Sequence, residues 1–159
     1  MWIGSPLLVH GRCQKAIFDI SNSIAYNNKM IYASYDQPET ACEWIHAEGK
    51  AVNQHFVRNQ ADVILPMVIE AFKNSWKAGK DVPSLFIITP FRSVKAGLIR
   101  YFADQDALCE KLRAKEKEQR KKVRQWIFNN IGTIHTFQGK EADMVILCLG
   151  VDSSDLCTK

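Results

Sequence analysis

The chain contains no run of 18 consecutive apolar residues, the length a membrane-spanning helix needs. Its start, Met-Trp-Ile-Gly-Ser-Pro, lacks the basic region and apolar stretch of a secretory signal. No Cys-x-x-Cys pair occurs, and the five cysteines (Cys13, Cys42, Cys109, Cys148, Cys157) are odd in number and far apart. Neither a zinc site nor a disulfide framework is therefore indicated. The histidines are equally scattered, and no metal site is expected. Thiols of this kind are at home in a reducing compartment, so the expected location is cytoplasmic. Also missing are internal repeats of solenoid period, the G-x-G-x-x-G turn of dinucleotide-binding enzymes and the G-x-x-x-x-G-K-[ST] phosphate-binding loop.

What remains is a globular composition. The 159 residues are 47% apolar and 24% charged, enough for one domain, spanning 1–159, with a real core. The net charge of +4 is unevenly placed. Between Glu110 and Arg124 lie eight Lys or Arg and three Glu, whereas the rest of the chain has 13 basic and 14 acidic residues. All the excess positive charge sits in that one segment.

Periodicity supplies the architecture. Leu7–Val9 reads as a short strand, and Ala16–Ile24 as a helix with Ile17, Ile20 and Ile24 on its apolar face. Asn27-Asn28 ends that helix, Met30–Ala33 is extended, Cys42–Ala47 is a plausible strand, and Gly49–Arg58 reads as loop. From Asn59, a natural helix cap, Val63, Ile64, Met67, Val68, Ala71 and Phe72 fall on one face. Pro66 should kink this helix or mark its true first turn, and Gly79 is placed to stop it in a left-handed cap. Leu85–Thr89 is a continuous apolar run, as expected of a parallel strand buried on both faces. Pro90 ends it, and Val94, Leu98, Ile99 and Phe102 define the next helix. The basic stretch 107–128 reads as a third helix, inserted at about 104–128, with Leu108, Leu112, Val123 and Ile127 as its apolar positions. Ile131–His135 and Met144–Leu149 read as two more strands. The alternation implies an α/β fold with a mainly parallel sheet and helices on its faces.

Ligands of such sheets sit at loops beyond the carboxyl ends of the strands. Two loops there are chemically rich: Thr89-Pro90-Phe91-Arg92 and Thr136-Phe137-Gln138-Gly139-Lys140-Glu141. Gly139 would let backbone approach a ligand, Thr136 or a nearby N–H could hold a phosphate oxygen, and Glu141 could accept from ribose hydroxyls. The plainer alternative is a polar turn with solvated charges.

Gly132–Leu147, GTIHTFQGKEADMVIL, resembles motif V of superfamily 1 helicases, written roughly T-[VI]-[HD]-x-F-Q-G-[KR]-E-x-D-x-[VI]. Leu85–Lys95, LFIITPFRSVK, resembles the "ITPYRAQ" block upstream of it in that family. Leu7–Ile24, LLVHGRCQKAIFDISNSI, resembles the motif IV region, although Gly11 and Gln14 depart from the family's Tyr/Arg and His/Asp. The resemblance implies the second RecA-like motor domain of a helicase, a three-layer fold that closes over ATP and Mg2+ held mainly by a first RecA-like domain. It further implies that Arg12 reaches the γ-phosphate, where such an arginine stabilises charge on the transferred group. Gln138, Gly139 and Glu141 would contact the nucleotide, and Thr89, Arg92, His135 and Thr136 a single strand of nucleic acid. The alternative for Arg12 is a surface arginine in a loop.

Neither an acidic magnesium motif nor the arginine-bearing motif VI accompanies these segments, so the chain is expected to be a piece of a larger enzyme and inactive alone. The basic segment can lie along phosphates, or can be a solvated helix with internal pairs such as Glu116–Arg120 and Glu118–Lys122. Two other functions compete with the motor reading. One is a non-catalytic module that binds nucleic acid or protein on the same scaffold. The other, a doubly wound nucleotide-binding enzyme, lacks its glycine-rich turn.

Overall fold

An apolar strand at the centre of the largest sheet organises most of the architecture. The computed structural model describes residues 8–11, 13–33, 41–52, 54–104, 107–112, 114 and 117–152. It is mixed α/β with small, mostly parallel sheets, and the chain divides into two compact units, 1–46 and 47–159.

In the first unit, β1 (Val9–His10) pairs in parallel with β2 (Ile31–Tyr32) across helix α1 (Lys15–Ala25). Helix α1 ends before Asn27 and Asn28, both in the left-handed region that Asn tolerates better than most residues. The side chain of Asn22 fastens the return: its Nδ2 donates to the Met30 carbonyl at 3.1 Å, and its Oδ1 accepts from the Met30 N–H at 3.0 Å. Phe18 is buried beside the rings of His10 and Tyr32. The apolar face expected at Ile17, Ile20 and Ile24 is not buried within this unit; those residues are 43%, 54% and 79% exposed. The pattern located a stripe, but among the described residues the two-residue strands do not cover it. Residues 41–47, expected to include a strand, form none.

The second unit opens with a hairpin, β3 (Ala51–Val52) and β4 (Phe56–Val57), where a loop was expected. Helix α2 (Arg58–Lys77) follows at once, with Val57 rather than Asn59 in the cap position. Asn59 instead donates from Nδ2 to the Glu48 carbonyl at 2.6 Å. Pro66 lies inside α2 on its exposed side and does not mark the first turn. Gly79, at φ +72°, ends the helix as expected. Its N–H bonds to the Trp76 carbonyl and that of Lys80 to Ser75, so two otherwise orphaned carbonyls are satisfied.

Strand β5 (Leu85–Thr89) then runs between β6 (Ile131–Thr133) and β7 (Met144–Leu147), parallel to both. Helix α3 (Arg92–Ala103) follows β5; the basic stretch, expected as one helix, is two, α4 (Ala107–Lys111) and α5 (Lys117–Asn130). Leu108, Leu112, Val123 and Ile127 are all buried, so this stretch contributes to the core and is not merely a charged excursion. Leu85 and Ile87 join one apolar cluster with Phe72 of α2, Leu98 of α3 and Trp126 of α5. Trp126 also donates from Nε1 to the Pro83 carbonyl at 3.2 Å, and Asn130 from Nδ2 to Leu85 at 2.9 Å, which anchors α5 to the start of β5. Lys122 pairs with Asp81 at 2.8 Å, and this bond, with a smaller contribution from the charge of Glu118, raises its pKa; Glu116, of the other pair expected from helical spacing, lies outside the described residues.

The opposite sheet face carries Phe86 and Ile88 beside Val145 and Leu147. Its covering element among the described residues is the four-residue helix α6 (Ile134–Phe137), whose Phe137 stacks on Phe86 at 4.4 Å. Val145 and Leu147 stay exposed on β7, which is an edge strand. No helix among the described residues is long and apolar enough to cross a membrane.

Candidate functional site

The carboxyl ends of β5 and β6 lie side by side, with Thr89 paired to Thr133. Thr89 is fully buried, and its Oγ1 accepts from the Phe91 N–H at 3.4 Å, across Pro90. Its hydroxyl is therefore occupied in shaping the turn that launches α3. Arg92 is the first residue of α3 and is exposed. Phe91, just before it, stacks on His55 at 4.2 Å with 19° between the ring planes, so the hairpin loop comes to the same edge.

Beyond β6 the chain does not continue as a strand through His135. It turns into α6 after Thr133, because Gly132 leaves room for the fold-back: a Cβ there would come within 2.7 Å of the Phe137 ring and 3.0 Å of Thr136. His135 and Thr136 are both exposed on this turn, and the hydroxyls of Thr133 and Thr136 lie 3.3 Å apart. The third strand reaches the same edge. After β7, Gly150 adopts φ +67°, and a Cβ there would meet Val94 at 2.3 Å and the His55 carbonyl at 2.8 Å. Gln60 holds this segment, its Oε1 accepting from the Gly150 N–H at 3.0 Å and from the Cys148 thiol at 3.2 Å. Burial pushes the Cys148 thiol up to about 11.

The edge thus gathers Arg92, His135, Thr136 and the His55–Phe91 stack. It presents a guanidinium, an imidazole and a hydroxyl near flat aromatic surface, a combination suited to phosphate and base contacts. The pattern reading missed His55, since nothing local marks a histidine in a hairpin loop as a neighbour of a residue 36 positions away, the separation of the stacked pair.

Gln138, Gly139 and Glu141 belong to a different place. The chain must return from the carboxyl edge to start β7, and Met144 pairs with Leu85 at the amino end of β5. Phe137 touches down on Phe86, and Asp143 donates its N–H to Ser84 Oγ at 3.0 Å, so residues 138–143 cross the second sheet face. Gly139 lies on this crossing at φ +81° with open space around its Cα, leaving the backbone approachable. Gln138 and Glu141 are exposed. Arg12 lies outside the described residues. Among the described residues no cluster of three His, Cys, Asp or Glu side chains is placed to hold a metal ion.

Comparisons of the chain with protein-family models, with curated proteins and with solved structures return no match.

Proposed function

We propose that the chain is the second motor domain of an ATP-dependent superfamily 1 helicase acting on DNA or RNA, built on the RecA-like three-layer plan. In this reading a single strand of nucleic acid crosses the carboxyl edge of the sheet. ATP and Mg2+ would sit against the domain, gripped mainly by a first RecA-like domain that supplies the phosphate-binding loop. One observation supports the reading above others. The two segments that resemble family blocks, Thr89–Arg92 and Thr133–Thr136, are far apart in sequence yet end on adjacent parallel strands in register. Arg92, His135 and Thr136 would take phosphates there, with Thr89 setting the turn beneath them. Gln138, Gly139 and Glu141, on the crossing loop, would meet the nucleotide, and Arg12 would supply the charge that reaches its γ-phosphate.

Fluorescence anisotropy with short labelled DNA and RNA strands tests the edge directly. The intact chain is expected to bind at low salt, and Arg92→Gln with His135→Gln to weaken binding about tenfold, the loss of roughly 1.4 kcal/mol. Absence of binding to either strand, or binding indifferent to these substitutions, would remove the main support. The chain alone is expected not to turn over ATP; purified material with strand-stimulated hydrolysis would contradict the division of labour.

A further inference from the structure

A second basic surface lies away from the strand ends, along α3. Two depressions of about 430 and 500 Å³ lie along this helix and adjoin at Phe56, Gly97 and Arg100, and together they line a groove. The groove starts beside Ser93, one residue after Arg92, and runs to Asp104 and Lys111. That is about 16 Å at 1.5 Å per helical residue, longer than one nucleotide. Its size is in the range of ligand-binding clefts.

The floor is built by close approach. Gly97 has no side chain, and a Cβ there would fall 2.4 Å from the Phe56 ring, so the ring of Phe56 lies directly on α3. Tyr101 stands beside it in the wall, its hydroxyl donating to Asp62 of α2. Desolvation and that carboxylate push the Tyr101 phenol up to about 12. Over this aromatic and apolar floor stand Arg58, Arg100 and Lys111, from three different helices. None of the three has a hydrogen bond or ion pair among the described residues. Among the described residues Asp104 is the one acidic residue in the lining, and Asp62 is engaged by Tyr101. Cations beside partly buried aromatic rings match the alternating chemistry of a single strand, whose phosphates are anionic and whose bases stack on aromatic planes.

We propose that this groove is a second nucleic-acid-binding surface, which extends the strand from Arg92 along α3, with phosphates at Arg58, Arg100 and Lys111 and a base against Phe56. The proposal rests on the nucleic-acid reading of the carboxyl edge. An acidic polypeptide is the main competing occupant, and charge alone does not separate the two; the aromatic floor favours the nucleotide chain.

The test uses the 159-residue chain and labelled thymidine and uridine 12-mers, with anisotropy measured across a salt series. Arg58→Gln, Arg100→Gln and Lys111→Gln are combined, and all three positions are solvent-exposed, so circular dichroism should be unchanged. A control removes equal charge from exposed Lys73, Lys77 and Lys80, outside the groove. The groove variant is expected to bind at least tenfold more weakly, with a salt slope shallower by about two, as three lost phosphate contacts imply for a single strand. The control should change affinity less than twofold. Equal losses in both variants would overturn the groove, as would competition by poly-glutamate as strong as that by unlabelled strand. If the intact chain binds no strand, the reading of the carboxyl edge fails as well. If Arg92→Gln weakens binding but the groove variant does not, only the groove fails.

Discussion

Helices α1 and α3 have similar amphipathic sequences and opposite fates. Val94, Leu98 and Phe102 of α3 are buried in a core shared with a sheet and helices α2, α4 and α5, whereas Ile17, Ile20 and Ile24 of α1 remain exposed within their own unit. The difference lies in what each helix has to pack on. The unit containing α3 has three strands in one sheet and a contiguous core; the one containing α1 has, among the described residues, two strands of two residues each. Periodicity therefore states which face of a helix demands cover, and only the surrounding elements decide whether it is met.

The contrast can be broken in several places. The largest effect is expected at Phe72, fully buried between Trp76 and Trp126: Phe72→Ala should cost about 3–5 kcal/mol in urea unfolding of residues 47–159. A cost under 1 kcal/mol would mean that this core is not tightly packed. Next comes the thiol contrast between Cys148, buried, and Cys42, exposed. The folded Cys148 thiol ionises near 11 instead of its usual 9.0, so the folded state holds its proton after the unfolded state has lost it. The resulting stability is complete below about pH 9 and should fall by about 2–3 kcal/mol as pH rises to 11, a decline that Cys148→Ala should remove. Ellman's reagent at pH 8 should modify Cys42 quickly and Cys148 only on unfolding.

Smaller effects are expected in the first unit. Asn22→Ala should cost about 1–2 kcal/mol by leaving the Met30 N–H and carbonyl unsatisfied, read as faster amide exchange at Met30. Ile24→Ser should change stability by no more than about 0.5 kcal/mol, as for an exposed site. A loss above 1.5 kcal/mol at Ile24 would instead show that the stripe is covered in solution.

Much of the second unit could be read from local pattern, because its signals are local in origin. Leu85–Ile88 is apolar throughout, Thr89 follows and Pro90 bounds the run, and it is the central strand. Gly79 follows an apolar periodicity and takes the left-handed cap. Where the pattern failed, a distant residue decided. Ile-His-Thr has the β-branched look of a strand, yet the chain turns there because Phe137 folds back over Gly132 onto Phe86. Helical spacing offered Lys122 to Glu118, but its ion pair is with Asp81, in the loop before β5. The candidate site was legible as two loops. That Arg92, His135 and Thr136 share an edge while Glu141 lies on the crossing depends on strand order β6-β5-β7, which no single segment encodes.

That strand order also sets a schedule for synthesis. β5 is apolar at four of its five positions, and both of its neighbours follow it in the chain, with Leu85 waiting for Met144. While the ribosome makes α3, α4 and α5, the backbone of β5 has no sheet partner, and its side chains have only helices to cover one face. Pairings that close late and over long separations are slow and leave sticky intermediates. The nascent chain should therefore depend most on chaperones while residues 90–143 are being made, and the segment that completes β7 is the one that ends this dependence.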